Sequence, residues 1–340
     1  MAGPVRRRKK PSLAEVARIA GVSISTVSKV ANGGVDVSDA TRERVERILA
    51  ERGYVATRKR RGSLIPVELI TRDMYNPLTL DVLRGIIDAA ASTGLDISVS
   101  RYPDNAPDHR WIDEIHAAGR RGVIALTSIL DDDERARFRS HGLEVVAIDP
   151  LNRPDESTTS VGATNWAGGL QATEHLLGLG HTKIAMLTGF PEAMASRARV
   201  SGFRAAMGTA GIELDESMVL DGDFTYDSGL ELGTELLRRS DRPTAVFAAS
   251  DLPALGVIEA ARRRGLRVPE DLSVVGFDDL IMAQVSAPPL TTVRQPLDQM
   301  GAVAVQMIAA LIADGPPDHA LHTELATRLV VRGSTAPPAA

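Results

Sequence analysis

The sequence predicts a small all-α unit followed by a much larger α/β unit, and three observations predict it. Three short, capped helical patterns fill residues 12–56. From Leu64 onward, short apolar strands alternate with helical stripes, the mark of doubly wound parallel sheets. Charge divides at the same place: residues 1–63 hold 15 Arg/Lys against 6 Asp/Glu, or +9, so the rest must carry −14 to give the net −5.

Each helix of the small unit has its own signals. Ser12-Leu13-Ala14-Glu15 is a capping-box pattern, and Leu13, Val16, Ala17 and Ala20 then share one helical face. Gly21 stops that helix, where the backbone must turn through positive φ. Ser23 caps a second helix whose Val27 and Val30 pack back on the first. Ser38 caps a third, with Val45, Ile48 and Leu49 inward, Arg42, Arg44 and Arg47 outward, and Gly53 ending it. Two helices joined by a tight glycine turn, completed by a third, make a helix-turn-helix. Its second helix presents Ile24, Ser25, Ser28 and Lys29 away from the core. Small and hydroxyl side chains let a helix lie close to base edges, and Lys29 reaches a guanine or a phosphate.

Composition limits the rest. A chain of 340 residues exceeds one ordinary domain, and 44% hydrophobic residues suffice for real cores. The absence of cysteine excludes disulfides, thiolate catalysis and cysteine zinc sites. The basic cluster Arg6–Lys10 is followed by Pro11-Ser12 and not by an apolar segment, so a secretory signal is not expected. The longest apolar runs, such as Gly301–Ala313 with Gln306 inside it, fall short of a membrane span. The expectation is a cytoplasmic, nucleoid-associated protein with no membrane partner, no metal and no cofactor.

In the large unit, Leu64–Thr71, Ile97–Ser100, Gly122–Thr127 and Glu144–Asp149 read as strands. A second series starts near Val161 and includes Lys183–Leu187, Ala245–Ala249 and Ser273–Gly276. Asn76-Pro77 opens a helix whose expected buried stripe is Leu80, Leu83, Ile87, Ala90 and Ala91, ending at Gly94. Ligands of such sheets bind beyond the carboxyl ends of the strands. Those ends are polar in both halves: Thr71-Arg72-Asp73, Ser100-Arg101, Thr127-Ser128, Asp149, Ser250-Asp251 and Asp278-Asp279.

The segment "SLAEVARIAGVSISTVSKVANGGVDVSDATRERVERILAERGYV" resembles the DNA-binding headpiece of the LacI–GalR family of bacterial repressors. The resemblance implies Ile24, Ser25 and Lys29 as major-groove readers. It implies Ser23, Thr26, Ser28, Asn32 and Tyr54 as backbone-positioning contacts, with Leu13 also facing the DNA; capping is the plainer role for Ser23 and Thr26. The linker departs from the family. "VATRKRRGS" is short and lacks the leucine that wedges into the minor groove, so Arg58, Lys59, Arg60 and Arg61 either hold phosphates electrostatically or merely tether the headpiece.

Residues 64–336 resemble the family's periplasmic-binding-protein-like core, through "NPLTLDVLRGI", "HLLGLGHTKIAMLTG", "SRARVSGFRAAM", "GDFTYDSG", "RPTAVFAASDLPALGVIEAARRRGLRVPEDLSVVGFDDL", "PPLTTVRQP" and "VVRGSTAPP". The expected organisation is a basic tail (1–11), the headpiece (12–56), a basic linker (57–63) and a core (64–340). Within the core, one subdomain takes about 64–161 and 291–322, the other 162–290 and 323–340.

The resemblance implies effector contacts from Arg199, a fork of donors, Asp278, an acceptor of hydroxyls, and Phe224, a stacking face. Gln295 lies at a crossover and would report cleft closure. Asp73, Ser100, Thr127, Asp149 and Ser250 join them from strand ends, and Trp166 offers a second platform or interface packing. Ser250 stands where many sugar-binding members have Asn, and one hydroxyl in place of an amide alters the hydroxyl pattern read. The expected function is a homodimeric repressor on pseudo-palindromic operator DNA, released by a sugar. A purine-type corepressor is the rival within the family, and a transport-system sugar-binding protein the rival outside it. An enzyme is disfavoured, since no Walker loop, dinucleotide glycine triad, Gly-x-Ser-x-Gly elbow or His-Glu-x-x-His occurs. The acidic run Asp131–Glu134 reads as a charged helix start, not a metal site. The Pro-rich tail carries no heptads for a tetramerisation helix.

Overall fold

The computed structural model describes residues 13–31, 37–51, 64–102 and 109–339. They form two units, divided at Leu64, and each is taken by itself.

The first unit holds α1 (Leu13–Ala20), α2 (Ile24–Ala31) and α3 (Asp39–Glu51). Val16, Ala17 and Ala20 meet Val27 and Val30 of α2 and Val45 and Leu49 of α3 in one small core. Gly21 makes the turn at φ 66°. Ser23 starts α2, its hydroxyl accepting from Thr26 N–H at 3.1 Å. Ser38 starts α3 differently: its carbonyl accepts from Arg42 N–H at 2.9 Å, while its hydroxyl donates to that of Thr41 at 3.0 Å.

The second unit begins with β1 (Ile65–Thr71), α4 (Pro77–Thr93), β2 (Leu95–Arg101), α5 (Arg110–Ala117), β3 (Gly122–Leu126), α6 (Asp132–Ser140), β4 (Glu144–Ile148) and β5 (Thr159–Ala163). It continues with α7 (Asn165–Gly178), β6 (Ile184–Leu187), α8 (Met194–Thr209), β7 (Val219–Leu220), α9 (Tyr226–Arg238), β8 (Ala245–Ala248), α10 (Asp251–Arg263), β9 (Ser273–Asp278), α11 (Ile281–Val285) and β10 (Thr291–Arg294). Then come α12 (Leu297–Asp314), β11 (His322–Leu325) and β12 (Arg328–Val330). Sheet 1 has the order β11-β5-β4-β3-β1-β2 and sheet 2 the order β12-β10-β9-β8-β6-β7. Every pairing is parallel except β10 with β12.

The chain therefore passes between subdomains three times, after Ala163, after Arg294 and after Leu325. Two of these differ from expectation. β10 belongs to sheet 2, pairing with β9 from Thr291↔Val275 to Arg294↔Asp278, so the second crossover falls after 294 and not before 291. β11 belongs to sheet 1 beside β5, which moves the third from 322 to beyond Leu325. Both strands are short, and periodicity cannot say which sheet a short strand joins.

The buried face of α4 also differs. Leu78, Val82, Ile86 and Ala90 point inward, whereas Leu80 is 62% and Ile87 56% exposed. This helix is apolar on two faces, so spacing alone does not choose between them. Close approach does: a Cβ on Gly85 would lie 1.8 Å from the Asp298 carbonyl, and one on Gly301 would lie 2.3 Å from that of Val82. The same reciprocal device joins α7 to α8, where Gly169 sits against the Arg199 backbone and Gly202 against Trp166. Helix α12, with mean hydropathy 1.3 over 18 residues, is long and apolar enough to cross a membrane by length and composition. It instead buries Leu297, Met300, Ala304, Val305, Ile308 and Leu311 in the core of sheet 1.

Candidate DNA-reading helix and effector cleft

On α2, the inward turn of Val27 and Val30 leaves the opposite side to Ile24, 54% exposed, and to exposed Ser25 and Lys29. Ser23 Oγ lies 2.7 Å from Ser25 Oγ and 2.8 Å from Thr26 Oγ1, so the cap and the first turn share one hydroxyl network. Leu13 and Ser28 lie on α1 and α2. Asn32, Tyr54, Arg58, Lys59, Arg60 and Arg61 fall outside the described residues, as do the tail and the linker.

In the larger unit, a polar lattice forms around Asp278 at the end of β9. Its Oδ2 accepts from Ser250 Oγ at 2.6 Å, and its Oδ1 accepts from Gln295 Nε2 at 2.6 Å and faces Arg199 Nη1 at 3.7 Å. Arg199 and Asp278 are 3% and 4% exposed. A buried charge needs a partner, and here each is the other's. The guanidinium is held further by Asn165 Oδ1, which accepts from Nε at 2.8 Å, and by the Ala249 carbonyl. It lies 3.7 Å over the Phe277 ring and 5.9 Å from that of Phe224. Asp149, at the end of β4, joins through Asn165 and the field of Arg199. Beside it Asp251 is fully buried, accepting from Thr292 Oγ1 at 2.5 Å and from Leu280 N–H at 2.7 Å.

One arginine thus serves three carboxylates. Burial pushes the Asp278 carboxyl up, with Arg199 pulling it back down. Burial, then the negative field of Asp278, pushes Asp251 well up. Asp149 is raised by burial against the pull of Arg199 and Asn165. The guanidinium in turn is lowered by burial and supported by Asp278, Asp149 and Asp251. Gln295 Oε1, within a side chain 3% exposed, has no partner among the described residues. The lattice is therefore short of a donor at that point.

The backbone carries a matching signature. Thr127, Asp149, Phe224, Asp278 and Asp279 adopt φ of 44°, 47°, 65°, 113° and 62°. Non-glycine residues in this region gather where surroundings over-determine them, commonly at ligand sites. Phe224 meets Phe190 edge-on at 5.8 Å, and its ring fills the space a Cβ on Gly189 would need. A cavity of about 410 Å³ opens at Asp149 and Asn165, lined also by Met194, Ala195 and Ala198. Another of about 520 Å³ opens at Asp278 and Gln295, against Pro77, Asp81 and Arg84.

The structure thus brings together Asp149, Arg199, Phe224, Ser250, Asp278 and Gln295. It does not gather the others as closely. Asp73 accepts from Tyr75 N–H at 2.8 Å in a turn before α4, and Ser100 bonds the Glu68 carboxylate across sheet 1. Thr127 donates its N–H to the Ile148 carbonyl at 2.9 Å. Trp166 is nearly half exposed on the first turn of α7. Asn165, Phe277 and Phe190 were not anticipated. Asn165 opens α7 one residue beyond β5, and a polar residue near a strand end was the signal available. His109, Asp131 and Glu134 also lie close enough to share a metal ion, but Asp131 and Glu134 form a reciprocal capping box at α6.

Comparison with known proteins agrees with both units. A family model for bacterial regulatory proteins of the lacI family matches residues 12–56, and one for a periplasmic binding protein-like domain matches 173–335. The chain is 36% identical to the HTH-type transcriptional regulator CelR of Thermobifida fusca, over 97% of this chain and all of that protein. The chain belongs to the LacI family of bacterial regulatory proteins. Among solved structures it is similar to a CelR–cellobiose complex, with TM-score 0.74, 36% identity and 95% and 99% of the two chains covered. It is also similar to the lac repressor dimer bound to operator and the anti-inducer ONPF, with TM-score 0.81, 28% identity and 96% and 100% covered. This LacI-family chain is a transcriptional regulator, with a helix-turn-helix DNA-binding headpiece and a periplasmic-binding-protein-like core.

Proposed function

We propose that the chain is a homodimeric repressor, acting on the nucleoid in the cytoplasm, that releases pseudo-palindromic operator DNA when a sugar enters its cleft. The Asp278 lattice carries this reading. A buried carboxylate, a guanidinium and a hydroxyl present acceptors and donors a few ångströms apart, which suits neighbouring sugar hydroxyls. Phe224 beside them supplies an apolar face, and the cellobiose held by the similar CelR supports the ligand class. The donor missing at Gln295 Oε1 is one a hydroxyl would provide. The site residues have binding roles and no catalytic one.

Two-fold operators require two headpieces, and the exposed Leu80 and Ile87 on α4, with Ile281 and Val285 on α11, supply apolar surface for a second copy. Release requires differential affinity: the sugar binds one cleft geometry better, and the operator favours the other. The test is fluorescence anisotropy of the chain on a fragment of its own promoter, titrated with cellobiose, ribose and purine bases. A sugar that weakens binding supports the reading. Tightening by a purine, with no sugar effect, replaces it with corepression. Lys29→Ala should remove roughly 1–3 kcal/mol of discrimination between operator and random DNA.

A further inference from the structure

We propose that Arg332 and Arg294 are positioning residues for Asp278, which they aim into the cleft by clamping its neighbour Asp279; the effector role of Asp278 rests on the reading above. Asp278 and Asp279 are consecutive non-glycine residues at φ 113° and 62°, a conformation L residues avoid unless something imposes it. The imposing contacts lie outside the lattice. The Asp279 carboxylate, 1% exposed, accepts from Arg294 Nε at the end of β10 and from Arg332 Nη2 beyond β12. Arg332 is itself fixed, donating Nη1 to the Leu290 carbonyl at 2.8 Å and its backbone N–H to Thr291 Oγ1 at 2.9 Å. The next N–H, that of Leu280, is caught by Asp251 at 2.7 Å.

The turn is thereby pinned on two sides, and its two carboxylates face different partners: Asp279 the arginine pair, Asp278 Arg199, Ser250 and Gln295. Asp279 and Arg294 line the cavity at Asp278 and Gln295, whereas Arg332 stands behind them and reaches it through the Asp279 carboxylate. Arg294 adds a second property. It adjoins Gln295 at the second crossover, so one dipeptide holds both Asp279 and Asp278.

The test is crystal structures of the full chain as wild type, Arg332→Gln and Asp279→Asn, with Arg294→Gln as the milder variant should either fail to fold. In the variants Asp278 is expected to leave the left-handed region and lose Ser250 and Gln295, while the ladder between β9 and β10 persists. Calorimetry with cellobiose as probe should show about tenfold weaker binding, the size of losing one charge-assisted hydrogen bond. Operator affinity should be unchanged, and Arg332→Lys should restore part of the loss. Asp278 unmoved in the variants would overturn the clamp. Asp278 displaced in a protein whose wild type binds no sugar would uphold the clamp and count against the sugar reading alone.

Discussion

At the carboxyl ends of sheet 2, β8 and β9 lead into Ser250 and Asp278, which bond each other and enclose Arg199. At the corresponding ends of sheet 1, Asp149 after β4 reaches that lattice, while the other polar side chains are spent locally. Ser100 bonds Glu68, Ser128 Oγ donates to the Leu126 carbonyl at 2.9 Å, and the Tyr102 hydroxyl donates to Glu134 at 2.5 Å. The two halves of one architecture thus put their buried polar groups to different ends. In sheet 2 the buried charges hold one another around a gap, whereas in sheet 1, Asp149 apart, they bridge neighbouring strands or hold a turn or a helix start. The difference teaches that burial of a polar group does not mark a binding site. The better mark is the convergence of buried polar groups from several elements on one another, as at Asp278; an unpartnered acceptor alone does not suffice, since Thr71 Oγ1 at the end of β1 is as unpartnered among the described residues as Gln295 Oε1.

The largest contrast should come from removing one member of each set. Arg199→Met leaves Asp278 and Asp149 buried without their cation, and should cost about 3–5 kcal/mol of stability in denaturant titration. It should also abolish the sugar response of operator binding. Tyr102→Phe, just beyond β2, removes a hydroxyl shared between Glu134 and the Ile129 carbonyl, should cost about 1–3 kcal/mol, and should leave that response intact. A sugar response lost in Tyr102→Phe and kept in Arg199→Met would invert the comparison.

A smaller effect separates two glycines. Gly189→Ala places a methyl 1.9 Å from the Phe224 ring and must displace it, so sugar binding should weaken while the polar lattice survives. Gly162→Ala on β5, with nothing within 4 Å, should be silent to within about 0.5 kcal/mol in stability and leave Phe224 in place.

The smallest expected effect lies away from the cleft. Buried His181 contacts Thr244 at 2.9 Å, Ser273 at 3.0 Å and the Ala336 carbonyl at 2.9 Å, tying down the C-terminal segment. Burial lowers its pKa below the ordinary 6.5, partly offset by the Ala336 carbonyl. The folded state thus favours neutral imidazole. Its contribution is complete above 6.5 and is lost as pH falls through and below that value. Melting temperature should decline between pH 7 and 5, and His181→Gln should flatten the decline.

Much of this organisation was legible in the residues. The headpiece helices followed from caps at Ser23 and Ser38, the turn at Gly21, and the spacing of Val27, Val30 and Val45. Arg199 and Asp278 were found through matching motifs, since neither a helical arginine nor a turn aspartate announces itself. What stayed hidden was tertiary. Asn165 and Phe277 acquire their roles only when α7, α8 and β9 converge on one guanidinium. Which apolar face of α4 turned inward depended on a glycine on α12, more than two hundred residues away. The membership of β10 and β11 required the sheets themselves.

On the proposed function, sheet 2 grips the effector and sheet 1 closes over it. A crystal structure of the chain with the sugar that releases its operator tests this most directly. The expected complex has hydroxyls bonded to Arg199, Asp278 and Ser250, a ring face against Phe224, and a donor at Gln295 Oε1, with sheet 1 contributing chiefly Asp149. A sugar held mainly by the ends of β1, β2 and β3, with the Asp278 lattice as it stands without ligand, would contradict it.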